Sequence, residues 1–175
     1  MPNLLLQKWE LPEFTVKTKL RLDTMQTGDI TGLVSFGTEY GAIAVKKTEQ
    51  EYKILNIHGI QRFENERAKA EEITEIIGSF ALDTTDFYFA YQVEQVESIE
   101  KNTDGPFEFD VPREMISLYY SKDNTTFVKT NSFVAKAGRW VGVKHGLFAF
   151  NDNGDCEKQG KANYSYYKFV PKIAE

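Results

Sequence analysis

The chain carries one cysteine, Cys156, and two histidines, His58 and His145. A lone thiol closes no internal disulfide and builds no cysteine zinc site, and two imidazoles leave little material for a histidine metal centre or a triad. Lysine and arginine (21) fall short of aspartate and glutamate (26), for a net charge of -5, which argues against a nucleic-acid or anionic-membrane surface. No stretch approaches the ~20 apolar residues of a membrane span. The start Met1-Pro2-Asn3-Leu4-Leu5-Leu6 has neither the basic region nor the longer apolar run of a secretion signal, so the chain as given is expected to be cytoplasmic. No Gly-x-Ser-x-Gly occurs, Cys156 sits in a polar loop without a nucleophile signature, and Gly28, Gly32, Gly37 and Gly41 are followed by strand-like residues rather than a phosphate-cradling helix.

What the chain has instead is aromatics: 13 Phe, 9 Tyr and 2 Trp among 175 residues, with only five prolines. That bias favours strands. Period-two alternation supplies the pattern, most clearly in Phe14–Leu22, Phe87–Val93 and Ile116–Tyr120. Shorter candidates are Gly32–Phe36, Ala42–Lys46, Tyr52–His58, Phe107–Val111, Phe127–Thr130, Gly146–Phe150 and Tyr164–Val170. Turn chemistry separates them, as in Gln26-Thr-Gly-Asp29, Asn102-Thr-Asp-Gly-Pro106 and Lys122-Asp-Asn-Thr125. Ten to twelve short strands with few or no helices predict an all-β, antiparallel two-sheet sandwich, and the length fits one domain over residues 1–175.

Glu64–Ile77 disagrees on propensity, since it is rich in helix formers. Its apolar spacing makes only a thin stripe, so it reads as a solvated excursion leading into a strand near Ile73–Leu82.

Chemistry-bearing groups are sparse. The spacing Glu94-x-x-Glu97-x-x-Glu100 invites a paired-carboxylate reading, but residues three apart on a strand point to opposite faces unless a bulge intervenes. The oxygen-rich turn Asn151-Asp152-Asn153-Gly154-Asp155 has donors that suit calcium, with Asp152, Asn153 and Asp155 as candidate ligands. A helix–loop–helix site fails there, because its glycine would fall at Cys156 and its closing acid at Ala162. A polar turn is the better reading, and no cofactor is expected. His58 has no evident partner, and His145 beside Lys144 reads as a packed residue. Trp140, Trp9 and Tyr40 are the candidates for stacking on sugar rings, with Arg139 beside Trp140 to donate to hydroxyls; against this stands the use of large aromatics as core.

Three segments in order carry a family likeness. Gly138-Arg-Trp140-Val-Gly142-Val-Lys144-His-Gly146-Leu-Phe148 resembles the Gly-Arg-Trp-Ile-Gly-x-Lys-x-Gly-Leu-Phe run of the C-terminal concanavalin A-like domain of family 43 β-xylosidases. Gly32-Leu-Val-Ser-Phe-Gly37-Thr-Glu-Tyr40 is similar to that domain's Ala-Gly-Leu-x-x-x-Gly-x-x-Tyr signature, and Leu118–Phe127 to its Tyr-Ser-x-Asp-Gly-x-x-Phe hairpin. Two departures stand out. Asp123-Asn124 replaces the usual Asp-Gly, and Ala162–Phe169 lacks the two acids and the tryptophan common in the last strand.

The resemblance implies a concanavalin A-like jelly roll without its own catalytic centre, because in the family the catalytic carboxylates belong to a five-bladed propeller for which this chain has no room. The implied function is an accessory domain of a β-xylosidase or arabinofuranosidase, packing on a catalytic propeller in cis or in trans and shaping its sugar pocket. The alternative is a free-standing, lectin-like module for xylan- or arabinan-type saccharides, with Trp140, Arg139 and Tyr40 as contacts. Neither reading requires nucleic acid or membrane.

Overall fold

A computed structural model describes residues 3–10, 12–64, 67–102, 109–136, 142–153 and 160–172, and all regular structure among them is β-strand. The strands are β1 (Asn3–Lys8), β2 (Phe14–Arg21), β3 (Asp29–Phe36), β4 (Glu39–Lys47), β5 (Tyr52–Glu64), β6 (Arg67–Phe80), β7 (Asp86–Asn102), β8 (Phe109–Ser121), β9 (Val128–Val134), β10 (Lys144–Asn151) and β11 (Asn163–Pro171). They form a six-stranded sheet, β1-β10-β3-β4-β5-β6, and a five-stranded sheet, β11-β2-β7-β8-β9, with antiparallel pairing throughout. This is the expected sandwich.

Alternation drives the assembly. Along β2, Phe14, Val16, Thr18 and Leu20 are buried while Lys17 and Arg21 are exposed. They meet Phe87, Phe89, Tyr91 and Val93 of β7 on one inner face and Leu33, Ile43, Val45 and Ile54 of the other sheet. Each large apolar side chain removed from water here contributes roughly 1.5–3 kcal/mol. Tyr52, Phe80, Phe87 and Tyr120 extend the core as a run of stacked rings with centroids 5.1, 4.9 and 5.7 Å apart.

Several strands run longer than the sequence reading, and two segments differ in kind. The Glu64–Ile77 excursion is not helical: Arg67–Phe80 pairs with β5 from Phe80 opposite Tyr52 to Arg67 opposite Glu64, so the expected strand near Ile73–Leu82 begins earlier. Pairing of thirteen of its residues with β5 outweighs a helix propensity worth tenths of a kcal/mol per residue. Phe107–Val111 and Ile116–Tyr120 are likewise not two strands; residues 109–121 run as one, through Pro112. The proline is tolerated because β9 pairs with β8 only from Met115 onward, leaving Pro112 on an edge.

Ends of the sandwich are tied by polar groups. Asp29 is buried and accepts hydrogen bonds from the Gln26 amide (2.7 Å), Asn151 Nδ2 (2.9 Å) and the Gly160 amide (3.4 Å). In the β8–β9 turn Asn124 has φ 63°, the left-handed conformation its side chain tolerates. The Asp123 carboxylate accepts from the Thr126 and Thr125 amides, both at 2.8 Å, and those bonds hold its pKa well below the usual range.

Candidate functional site

The six-stranded sheet is apolar on both faces. Thr31, Leu33 and Ser35 of β3 face the other sheet, where Tyr91 donates to Ser35 Oγ at 3.2 Å. The alternate residues of β3, β4, β5 and β10 form a second cluster on the outer side: Ile30, Val34, Ala42, Ala44, Leu55, Ile57 and Phe148, all buried. Partly buried rings, Phe36, Tyr40 and Phe150, border it. Between them lies a groove of ≈ 350 Å³ that crosses the strands from Leu4 of β1 to Glu72 of β6. That size falls within the roughly 300–1,000 Å³ of small-ligand clefts.

One row of the sheet builds the groove's polar end. Tyr40 is paired across β4–β5 with Gly59, and Gly59 across β5–β6 with Glu72. The phenol of Tyr40 crosses β5 directly above Gly59: a Cβ there would stand 2.2 Å from Tyr40 Cζ. Glycine lets the ring lie down on the sheet. Its hydroxyl then reaches β6 and donates to Glu72 Oε2 at 2.7 Å. Burial, and after it the carboxylate of Glu72, push the Tyr40 pKa far up, so the phenol keeps its proton and remains the donor. Phe36 lies beside it with ring centroids 6.1 Å apart, and Phe148 and Phe150 pair at 6.1 Å along β10.

Tyr40 therefore stands in the groove, as its candidacy for sugar stacking requires. Arg139 and Trp140 lie outside the described residues. The ends of that segment are described: the Thr38 amide donates to the Lys136 carbonyl at 2.9 Å, and Lys144 pairs with Phe36, both at the β3–β4 turn that carries Tyr40. Trp9 is no platform, since its ring packs edge-on to Phe14 (5.7 Å) and Tyr91 (6.4 Å) at the core.

The remaining candidates are occupied structurally. Of the calcium candidates, Asp152 pairs with Lys46 Nζ and Asn153 donates to the Thr27 carbonyl at 3.0 Å, while Asp155 lies outside the described residues. Among the described residues no group of three His, Cys, Asp or Glu side chains is placed to hold a metal ion. Glu94 accepts from Gln92 Nε2 at 2.9 Å; a register irregularity does interrupt β7 between Val96 and Glu100, and the side chains of Glu97 and Glu100 lie outside the described set. His58 has the partner that sequence alone hides: Nε2 lies 2.9 Å from Glu39 Oε1, and Lys136 Nζ lies 2.7 Å from Oε2. Burial works against an ionised Glu39, yet hydrogen bonds from Lys136 and His58 prevail and lower its pKa.

His145 is fully buried, hydrogen-bonded through Nδ1 to the Tyr167 hydroxyl, and surrounded by the rings of Phe14 (5.2 Å) and Tyr91 (5.7 Å). Its Nε2 and the Trp9 indole N–H are buried without a hydrogen-bond partner among the described residues. Burial depresses the imidazole pKa to about 4, with Glu10 partly opposing, so it packs as a neutral ring.

The fold and groove define a concanavalin A-like sandwich with an aromatic-lined outer face. The sequence profile of the beta xylosidase C-terminal concanavalin A-like domain matches residues 1–170, and the chain belongs to that family. Solved structures agree in fold. A GH43 glycoside hydrolase described as engineered for endo-xylanase and exo-arabinofuranosidase activity superposes with TM-score 0.71 at 17% identity, over 98% of this chain and 31% of its own. A bifunctional GH43-CE protein of Bacteroides eggerthii gives 0.64 at 22% identity, over 98% and 19%. Xylan beta-1,4-xylosidase of Bacillus halodurans gives 0.59 at 12%, over 95% and 29%. The chain thus spans under a third of the length of these enzymes. Among curated proteins none matches it in sequence.

Proposed function

We propose that the chain is the accessory, non-catalytic sandwich of a family 43 glycosidase, packing on a catalytic propeller in cis or in trans and shaping the rim of its sugar pocket. The observation that carries this reading is the family match over residues 1–170, together with a fold that recurs as about a third of a GH43 chain. The edge strand β6 exposes apolar side chains on both of its faces, Ile73 (65% exposed) on one and Ile76 (61%) on the other, and either could pack on a partner domain. The strand belongs to a hairpin that reaches past β4, whose pairing with β5 ends at Ile60.

The test is complementation. A family 43 propeller stripped of its own sandwich is mixed with this chain, and both co-elution and hydrolysis of an aryl xyloside are followed. Association with a gain in turnover is expected, and Ile73→Glu with Ile76→Glu weakens both. A propeller whose elution and activity ignore the added chain overturns the reading.

A further inference from the structure

We propose that the row Tyr40–Gly59–Glu72 is a stacking platform that binds a neutral pyranoside in the outer groove. An aromatic side chain on a sheet usually stands among its neighbours; here the absence of a Cβ at Gly59 lets the phenol cross β5 close against its backbone, and the ring lines the groove. Its far end is tethered to Glu72, so the ring is held at both ends. A flat, fixed aromatic face is complementary to the C–H face of a sugar ring, and fixing it beforehand reduces the ordering cost of binding.

The carboxylate selects among occupants. Glu72 has lone pairs beyond the one that receives the Tyr40 hydroxyl, and sugar hydroxyls are donors of the right kind. An apolar peptide side chain seated there would strip water from the carboxylate and return nothing, at a cost of several hydrogen bonds. Charge narrows the class further: Glu72 is the acidic side chain that lines the groove, so uronates and phosphates are disfavoured beside it and neutral polyols are not. Phe148, Phe150 and Leu4 continue the groove across the sheet, which gives an extended chain of sugar rings a path perpendicular to the strands.

This site lies on the domain itself and does not depend on docking to a propeller, so its failure and the failure of the accessory reading are separately visible. The experiment titrates the full chain with xylotetraose, cellotetraose and polygalacturonate, by calorimetry and by ligand-observed NMR. Saturation of either neutral tetrasaccharide at millimolar or lower concentration is expected, with no response to polygalacturonate. Tyr40→Ala and Gly59→Ala weaken binding tenfold or more, the second while keeping the phenol but lifting it off the sheet. Glu72→Ala, at an exposed position, weakens it several-fold with the melting temperature unchanged, which keeps the test valid if a groove variant misfolds. No response to either neutral tetrasaccharide, a response to polygalacturonate alone, or wild-type affinity in both Tyr40→Ala and Glu72→Ala would overturn the proposal.

Discussion

The imidazole of His145 is hydrogen-bonded to the Tyr167 hydroxyl between the two sheets, and the pair makes the stability of the sandwich depend on pH. The folded-state pKa is about 4 because burial disfavours the cation, against about 6.5 in an unfolded chain. Between those values the unfolded chain binds the extra proton, so the slope of unfolding free energy with pH is positive. Stability is full above pH ~6.5 and falls as pH drops toward 4, by on the order of 3 kcal/mol over that interval. Thermal melts between pH 4 and 7.5 measure it. Compared with wild type, His145→Phe should flatten the profile over this window; an unchanged slope in that variant would show that other groups set it.

The β8–β9 turn gives a second, local test. Asp123 holds two backbone amides and Asn124 supplies the left-handed residue between the strands. Asn124→Gly is expected within ±0.5 kcal/mol of wild type, while Asn124→Val loses roughly 1–2 kcal/mol to backbone strain. Asp123→Ala leaves the two amides to water and is destabilising at neutral pH, and its difference from wild type shrinks as pH falls below the ordinary aspartate range, because the carboxylate's folded-state pKa is lowered. Urea unfolding of the three variants ranks them.

How the sequence relates to this structure differs by element. Alternation in Phe14–Leu22 predicts β2 directly, because one face of that strand is core and the other is water. Residues 67–72 mislead, since charged residues with high helix propensity also suit a solvated edge strand, and only the pairing with β5 decides. The groove is hardest to foresee. Tyr40, Gly59 and Glu72 lie 19 and 13 residues apart in the chain and meet through register across three strands. A glycine in Ile57-His-Gly59-Ile60 gives a sign of close approach but does not name what approaches. The same holds for His58 and Glu39, whose pairing follows from the β4–β5 register. The family likeness places Tyr40 in a signature and says nothing of Glu72.

The isolated chain is expected to release no xylose from an aryl xyloside. Glycoside hydrolysis uses two carboxyl groups roughly 5–9.5 Å apart across a sugar-binding cleft, one protonated and one ionised. The described acids with the most developed environments are spoken for: Asp29 braces three loop donors, Glu39 is held by Lys136 and His58, and Glu72 receives Tyr40. Reducing-sugar and chromogenic assays on pure protein check this. Turnover that co-purifies with the chain and disappears in a Glu72→Gln variant would place chemistry in the groove instead.

Packing between the sheets supplies the last prediction. Gly41 faces Phe133 of β9, and a methyl group there would stand 2.4 Å from a ring carbon of Phe133. Phe133 is buried and also lies 5.4 Å from the His58 ring, so it has little room to retreat. Gly41→Ala should therefore destabilise by roughly 1–3 kcal/mol through overpacking, despite the entropic gain that alanine brings at an ordinary strand position. Phe133→Leu alone should cost about 1 kcal/mol or more for the smaller side chain. In the double variant the two defects offset, because the shortened side chain makes room for the methyl, and the coupling should reach at least 0.5 kcal/mol. Chemical denaturation of the four proteins closes that cycle; strict additivity would mean that the sheets separate locally at Gly41 rather than clash with Phe133.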